Sequence, residues 1–268
     1  MSAPEHLKEP SMDLQLKGRV ALVTGASAGL GRGIVATLAA EGVQLALLAR
    51  RRPLLEEAAA EAVKLGAPKP LIIVADMADA ASPTRIRDEL LKGLGHVEIL
   101  VNNAGGSQPA VINEADDSWE RGMMINFVNI RRLTEALLPS MRRREYGRII
   151  NIGGTHEPIG INVTGSAKAA LQFYAKALSD EVGKDGITVN TIIPNGVVNQ
   201  RLSQRLKTKA DEEEYVRQSR IAVGRVGQPA DIGALVAFLV SPQASYINGQ
   251  VLYCDGGMHR YEIGRAHV

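Results

Sequence analysis

The sequence predicts an α/β domain: a doubly wound parallel sheet of about seven strands with helices on both faces. Three observations predict it. From Arg19 onward, short β-branched or leucine-rich runs alternate with longer stretches of helical pattern. None of these runs alternates strictly between apolar and polar residues, which suits parallel strands covered on both sides. The first run, Val20 to Val23, leads into the glycine cluster Thr24 to Gly31, which opens a segment with Leu30, Ile34 and Leu38 at helical spacing.

The strands read from the sequence are Val20 to Thr24, Gln44 to Ala49, Leu71 to Asp76, Ile99 to Asn102, Arg148 to Ile152, Thr188 to Ile193 and Gln250 to Cys254. The stretches between them are mostly helical. Right-handed crossovers then give a Rossmann-like sheet with ligands at the C-terminal ends of its strands. The longest strand-free region, Pro194 to Ser241, holds a charged portion and then Pro229, well placed to begin a helix through Leu239. Such a segment leaving the C-terminal edge of the sheet is a natural lid over a substrate. Its acidic run Asp211 to Glu214 reads as the first turn of a helix.

A chain of 268 residues suits one large domain, set at 18–263 with a lid at about 194–228. Residues 1–17 read as a polar extension, and 264–268 as a cloning remnant without a role. A net charge of +2, scattered arginines and few aromatics exclude a nucleic-acid binder. No run approaches the roughly 18 apolar residues of a membrane span, so a cytoplasmic protein that touches no membrane is expected. The single cysteine, Cys254, excludes a disulfide framework and reads as a small core residue. No metal site is assigned.

The glycine cluster carries the first chemical inference. Glycines let the backbone turn tightly and approach phosphates, and a helix N-terminus presents unpaired N–H groups with a partial positive charge. Placed between strand and helix, Gly25, Gly29 and Gly31 therefore point to the pyrophosphate of a dinucleotide. Arg50 and then Arg51 end the second strand, with no carboxylate until Glu56. An acidic residue there would bond a ribose 2′-hydroxyl, whereas arginine accommodates a 2′-phosphate, so NADP(H) is preferred over NAD(H).

From Gly18 to Gly257 the chain resembles the short-chain dehydrogenase/reductase family. The resemblance rests on the ordered set of Thr24 with Gly25, Gly29 and Gly31, Asp76 after the third strand, Asn102-Asn103-Ala104-Gly105, Asn126, Lys168 and Asp255-Gly256-Gly257. It implies that Asp76 bonds the adenine, and that Asn126 and Lys168 belong to a catalytic site. The cofactor contacts it implies also take in Ser27, Leu30, Met77, Asn103, Ala104, Gly105, Lys168, Pro194 and Val197. A homo-oligomer, dimer or tetramer, is likewise expected, with Leu133, Leu137, Ala169, Leu171 and Ala177 as apolar residues of the pairing helices.

The catalytic stretch departs from the family pattern. The family uses a tyrosine four residues before the lysine; here that residue is Thr164, and no tyrosine lies between Tyr146 and Tyr174. Its substrate-binding serine corresponds to Gly154. A tyrosine hydroxyl has a pKa near ~10 that a lysine cation can lower, whereas an aliphatic hydroxyl is far too weak an acid to replace it unaided. Three replacements stand open: Thr155 orienting a substrate oxygen, His156 with an imidazole suited to acid–base work, or Lys168 passing a proton through a water held by Asn126. After the sixth strand, Asn195 and Asn199 stand where the family has glycine and threonine.

The leading expectation is an NADP(H)-dependent oxidoreductase acting on a carbonyl or secondary alcohol of a small-molecule substrate, through a non-standard proton relay. The alternative is a catalytically impaired nucleotide-binding protein, such as a cofactor sensor or an inactive oligomer partner. A lyase or isomerase in the same pocket is the third. In the lid, Arg201, Arg205 and Arg220 either meet an acidic substrate or face water.

Overall fold

A computed structural model describes residues 12–106, 116–154 and 160–260, apart from the side chains of Asp116, Gln200 and Arg201. Seven parallel strands form one sheet: β1 (Val20–Thr24), β2 (Gln44–Ala49), β3 (Leu71–Val74), β4 (Ile99–Asn102), β5 (Gly147–Ile152), β6 (Ile187–Pro194) and β7 (Val251–Cys254). Their order is β3-β2-β1-β4-β5-β6-β7. The chain thus reverses its direction of winding between β1 and β4, which puts a crevice at their C-terminal ends.

The apolar runs are continuous because each strand feeds two cores. Leu22, Leu48, Leu100, Ile149 and Val189 face one side, where they meet α3 (Ser82–Leu94), α5 (Asn129–Arg143) and α6 (Val163–Val182). Val23, Leu47, Val101, Ile150 and Ile192 face the other, against α1 (Gly29–Ala40), α2 (Arg52–Lys64) and α9 (Pro229–Leu239). Helices α1 and α9 lie close because both are glycine at the crossing: a side chain at Gly33 would collide with Pro229, and one at Gly233 with Thr37.

Most strand limits agree with the sequence reading, and the exceptions are small. β3 ends at Val74 rather than Asp76. It is an edge strand, and past Val74 the Asp76 carboxylate takes the Ala78 N–H and turns the chain away. β5 and β6 extend a residue or so further, and β7 begins at Val251. Of the five apolar residues expected on pairing helices, Leu133, Leu137 and Leu171 instead belong to the core against their own sheet. Ala169 and Ala177 do face outward on α6, and between them Phe173 is 82% exposed.

The lid region holds α7 (Gln200–Arg205) and α8 (Lys209–Gln218). It is stapled at its base, where Gly227 donates to Gly196 and Val198 donates to Gly227, both at 2.8 Å. The acidic run does start α8: Asp211 and Thr208 exchange hydrogen bonds, and those bonds hold the Asp211 carboxyl below its ordinary pKa. Cys254 is half-buried, its thiol pKa pushed up by burial. Among the described residues no helix is long and apolar enough to cross a membrane.

Candidate active site

Thr24 and Asn103 tie the crevice together. The Thr24 hydroxyl donates to the Val101 carbonyl at 3.2 Å and accepts from the Asn103 and Ala104 N–H groups at 3.0 and 2.9 Å. The Asn103 amide donates back to the Thr24 and Gly25 carbonyls. Every bond joins the end of β1 to the end of β4, so the two loops bordering the crevice are held as one unit.

The glycine loop runs from this knot into α1. Gly25 and Gly29 have φ of +67° and +54°, a region that side chains other than hydrogen strongly disfavour. A side chain at Gly31 would run into the Gly25 carbonyl and approach the Asn103 amide to 2.6 Å. The N-cap of α1 is Ala28, which offers no side-chain acceptor, whereas α6, α7 and α8 are capped by Asn162, Asn199 and Thr208. The first N–H groups of α1 are thereby left for an external acceptor. An anion fits that place.

A cavity of about 490 Å³ opens in front of the loop. It brings together Gly25, Ser27 and Leu30 with Arg50 and Arg51 at one end, and Asn103, Ala104 and Gly105 at the other. Asp76 and Met77 line its wall, while Gly29 and Gly31 shape the loop from behind. Pro194 and Val197 stand apart, on a second cavity that touches the first at Leu30. Arg121, in α4 (Asp116–Met123), was not anticipated. Its guanidinium sits 3.6 Å from the Asp76 carboxylate on the cavity wall. Nothing in its spacing marks it, because the pairing joins β3 to a helix far along the chain.

Behind Gly105 and Gly106, which line the cavity, lies a polar cluster. Asn126 lies in a π-helical turn, Met124–Val128, fully buried. Its carbonyl accepts from the Gly106 N–H at 3.2 Å, and its amide donates to the carbonyls of Gly106 and Gly122 at 3.2 and 2.9 Å. The Thr164 hydroxyl donates to the Gly106 carbonyl at 2.8 Å. Lys168 is 6% exposed, and its Nζ donates to the Ile152 carbonyl at 2.7 Å. Burial pushes its pKa down from 10.5 to about 8. A Cβ built at Gly105 would stand 2.9 Å from Asn126 Oδ1 and 3.7 Å from Lys168 Nζ, so the three side chains converge on the Gly105–Gly106 backbone.

Two expected candidates, Thr155 and His156, lie outside the described residues. The tyrosines flanking this stretch are engaged elsewhere. Tyr146 donates to the Val240 carbonyl and lies between the guanidinium groups of Arg19 and Arg148; Tyr174 donates to Glu135 on α5.

A family profile described as enoyl-(acyl carrier protein) reductase matches residues 25–259. The 3-oxoacyl-(acyl-carrier-protein) reductase FabG of Escherichia coli (strain K12) is 34% identical over 252 residues, covering 92% of this chain and 99% of that protein. The chain belongs to the short-chain dehydrogenase/reductase family. Nodulation protein G of Rhizobium sp. (strain N33), 33% identical, covers 91% of the chain and 98% of its own length. Among solved structures, L-sorbose reductase from Gluconobacter frateurii complexed with NADPH and L-sorbose superposes with a TM-score of 0.84 at 30% identity, over 93% of this chain and all of that one. A 7α-hydroxysteroid dehydrogenase complexed with NADH and 7-oxo glycochenodeoxycholic acid gives 0.83 at 29%, over 91% and 96%. This short-chain dehydrogenase/reductase thus shares its sheet with relatives whose substrates range from a sugar to a steroid. Family membership carries the fold and the oxidoreductase class, and leaves the substrate to the loops.

Proposed function

We propose that the protein is an NADP(H)-dependent oxidoreductase that interconverts a carbonyl and a secondary alcohol, with Lys168 as the source of the proton. The observation that carries this reading is the buried Lys168 amine beside Asn126, directly behind Gly105 and Gly106, which line the same cavity as Arg50 and Arg51. In this reading the free N–H groups of α1 take the pyrophosphate and Asp76 takes the adenine. Arg50 and Arg51 supply positive charge for a 2′-phosphate. The nicotinamide, when bound, supplies or accepts the hydride.

The chain must supply the proton. With a pKa of about 8, Lys168 is mostly an ammonium at neutral pH. One of its three protons is held by the Ile152 carbonyl. Another passes through a water to the substrate oxygen as that oxygen gains negative charge, and leaves a neutral amine that recharges from solvent. Thr164 takes no part in the transfer: its proton is committed to the Gly106 carbonyl, and its pKa is far outside the working range. In this reading the raised acidity of the buried lysine compensates for the missing tyrosine and serine.

That same commitment of Thr164 and of the Asn126 amide to the Gly106 backbone favours a second reading, in which the cluster only braces the Gly105–Gly106 loop of a cofactor-binding protein. NADPH fluorescence titration and NADPH consumption with a panel of ketones, aldehydes and quinones separate the two. Turnover that Lys168→Met abolishes, with NADPH still bound, supports the enzyme. Tight NADPH binding with no turnover on any carbonyl supports the second reading.

A homo-oligomer belongs to this proposal. Ala169, Phe173 and Ala177 recur at four-residue spacing on the outer face of α6, a stripe suited to pairing with a second copy.

A further inference from the structure

The second cavity, about 280 Å³, lies between the loop after β6 and the lid helices. It opens beside the dinucleotide cavity, since Leu30 of the glycine loop lines both. None of its lining residues is acidic, and the one charge among them is Arg205. Two other lid arginines are neutralised: Arg217 pairs with Glu214 at 2.6 Å, and Arg225 with Asp231 at 2.7 Å. Among the described residues, no carboxylate pairs with Arg205. The half-buried Tyr215, from α8, lines the same cavity, and no described residue accepts from its hydroxyl.

The segment that carries the exposed Arg205 and the half-buried Tyr215 is anchored at its base. The hydrogen bonds between Gly227, Gly196 and Val198 fix both ends of the lid at its base. Asn199 spends its side chain on the start of α7, accepting from the Leu202 N–H at 2.9 Å and donating to the Val197 carbonyl. It secures the helix that carries Arg205. A guanidinium and a phenol hydroxyl on a cavity free of acidic groups are chemistry for an oxyanion.

We propose that Arg205 and Tyr215 form an anion subsite on the lid, taking a phosphate or carboxylate group that lies next to the glycine loop. The group has two sources: the pyrophosphate of the dinucleotide, or an acidic substrate bound beside it. The proposal rests on the NADP(H) reading above.

The test measures dissociation constants by fluorescence and calorimetry for NADPH, NADH and adenosine 2′-monophosphate, on the wild type, Arg205→Gln and Tyr215→Phe. A pyrophosphate contact weakens NADPH and NADH alike in Arg205→Gln, by about tenfold or more, and leaves adenosine 2′-monophosphate, which has no pyrophosphate, unchanged. A substrate contact leaves all three nucleotides unchanged, while the NADPH complex loses affinity for malonate, used as a carboxylate probe, by a similar factor. In either case Tyr215→Phe shows a smaller loss of the same kind. Equal binding of every probe by wild type and Arg205→Gln overturns the subsite, as does an equal loss of adenosine 2′-monophosphate. Failure of the wild type to bind NADPH overturns the cofactor reading, and this inference with it.

Discussion

Replacing Lys168 with methionine trades activity for stability, by an amount that depends on pH. In the folded protein Lys168 has a pKa of about 8, whereas the unfolded chain holds it near 10.5. Each unit of difference is worth about 1.4 kcal/mol, so carrying the charge in the folded state at pH 7 costs about 3 kcal/mol. Its folded pKa is depressed, so between pH 8 and 10.5 the unfolded state binds the extra proton and folding becomes more favourable as pH rises. At pH 10 the folded amine is already neutral, and most of the cost is gone. Methionine fills a similar volume and never pays it. Losing the hydrogen bond to the Ile152 carbonyl costs the variant about 1–3 kcal/mol, and that loss does not change with pH. The difference in unfolding free energy between Lys168→Met and wild type should therefore fall by about 2–3 kcal/mol from pH 7 to pH 10. Urea unfolding at fixed protein concentration, run at both pH values, reads that change directly. Parallel pH profiles for the two proteins would refute a depressed Lys168 pKa, whatever their absolute stabilities.

The same pKa sets the activity profile: carbonyl reduction should decline as pH rises through about 8 while alcohol oxidation increases, checked by initial rates in both directions from pH 6 to 10. Arg50→Gln should weaken NADPH binding by about tenfold and leave NADH unchanged, because only the former carries a 2′-phosphate; equal affinities would remove Arg50 from the clamp. Phe173→Glu should shift the protein to a smaller species in size-exclusion chromatography with light scattering, a charge on an apolar pairing stripe being costly to bury. Gly154→Ser combined with Thr164→Tyr should raise the reduction rate by about a hundredfold, the lower end of what a positioned general acid contributes.

The sheet was legible because two independent periodicities agreed on it. Near-continuous apolar runs gave the strands, and each run proved continuous for the expected reason: odd and even residues enter cores on opposite faces, as Leu22 and Val23 do. Limits were legible where pairing on both sides fixes a strand, as in β1 and β4, and less so at the edge strand β3, where Asp76 ends the ladder through its own side chain. The glycine loop was legible for a local reason, since its geometry is dictated by residues within a few positions of one another.

Arg121 was not legible, because its place depends on distant segments meeting; Arg205 was legible only as an arginine that meets an acidic substrate or faces water, and its cavity with Tyr215 and Leu30 was not. Arg121 gains its meaning from Asp76, and Arg205 from Tyr215 and Leu30, none of them close in sequence to its partner. The catalytic stretch is an intermediate case. Its residues could be counted off from Lys168, but their chemistry depends on what surrounds them. Thr164 looks like a free hydroxyl until the Gly106 carbonyl is seen to take its proton. Of the glycines that follow β5, a side chain at Gly153 would press on Thr191 Cγ2 at 2.9 Å, whereas one at Gly154 meets only Lys168 Cγ and Cβ, at 3.6 and 3.7 Å. A Cβ at Gly154 therefore makes ordinary contact with the lysine side chain. The resemblance would put a serine at that position, which is why the Gly154→Ser and Thr164→Tyr pair tests the site's geometry separately from the chemistry proposed for Lys168. If the double variant folds, binds NADPH and gains no rate, a serine at 154 and a tyrosine at 164 do not complete a relay, and the reading built on Lys168 has to stand without those two positions.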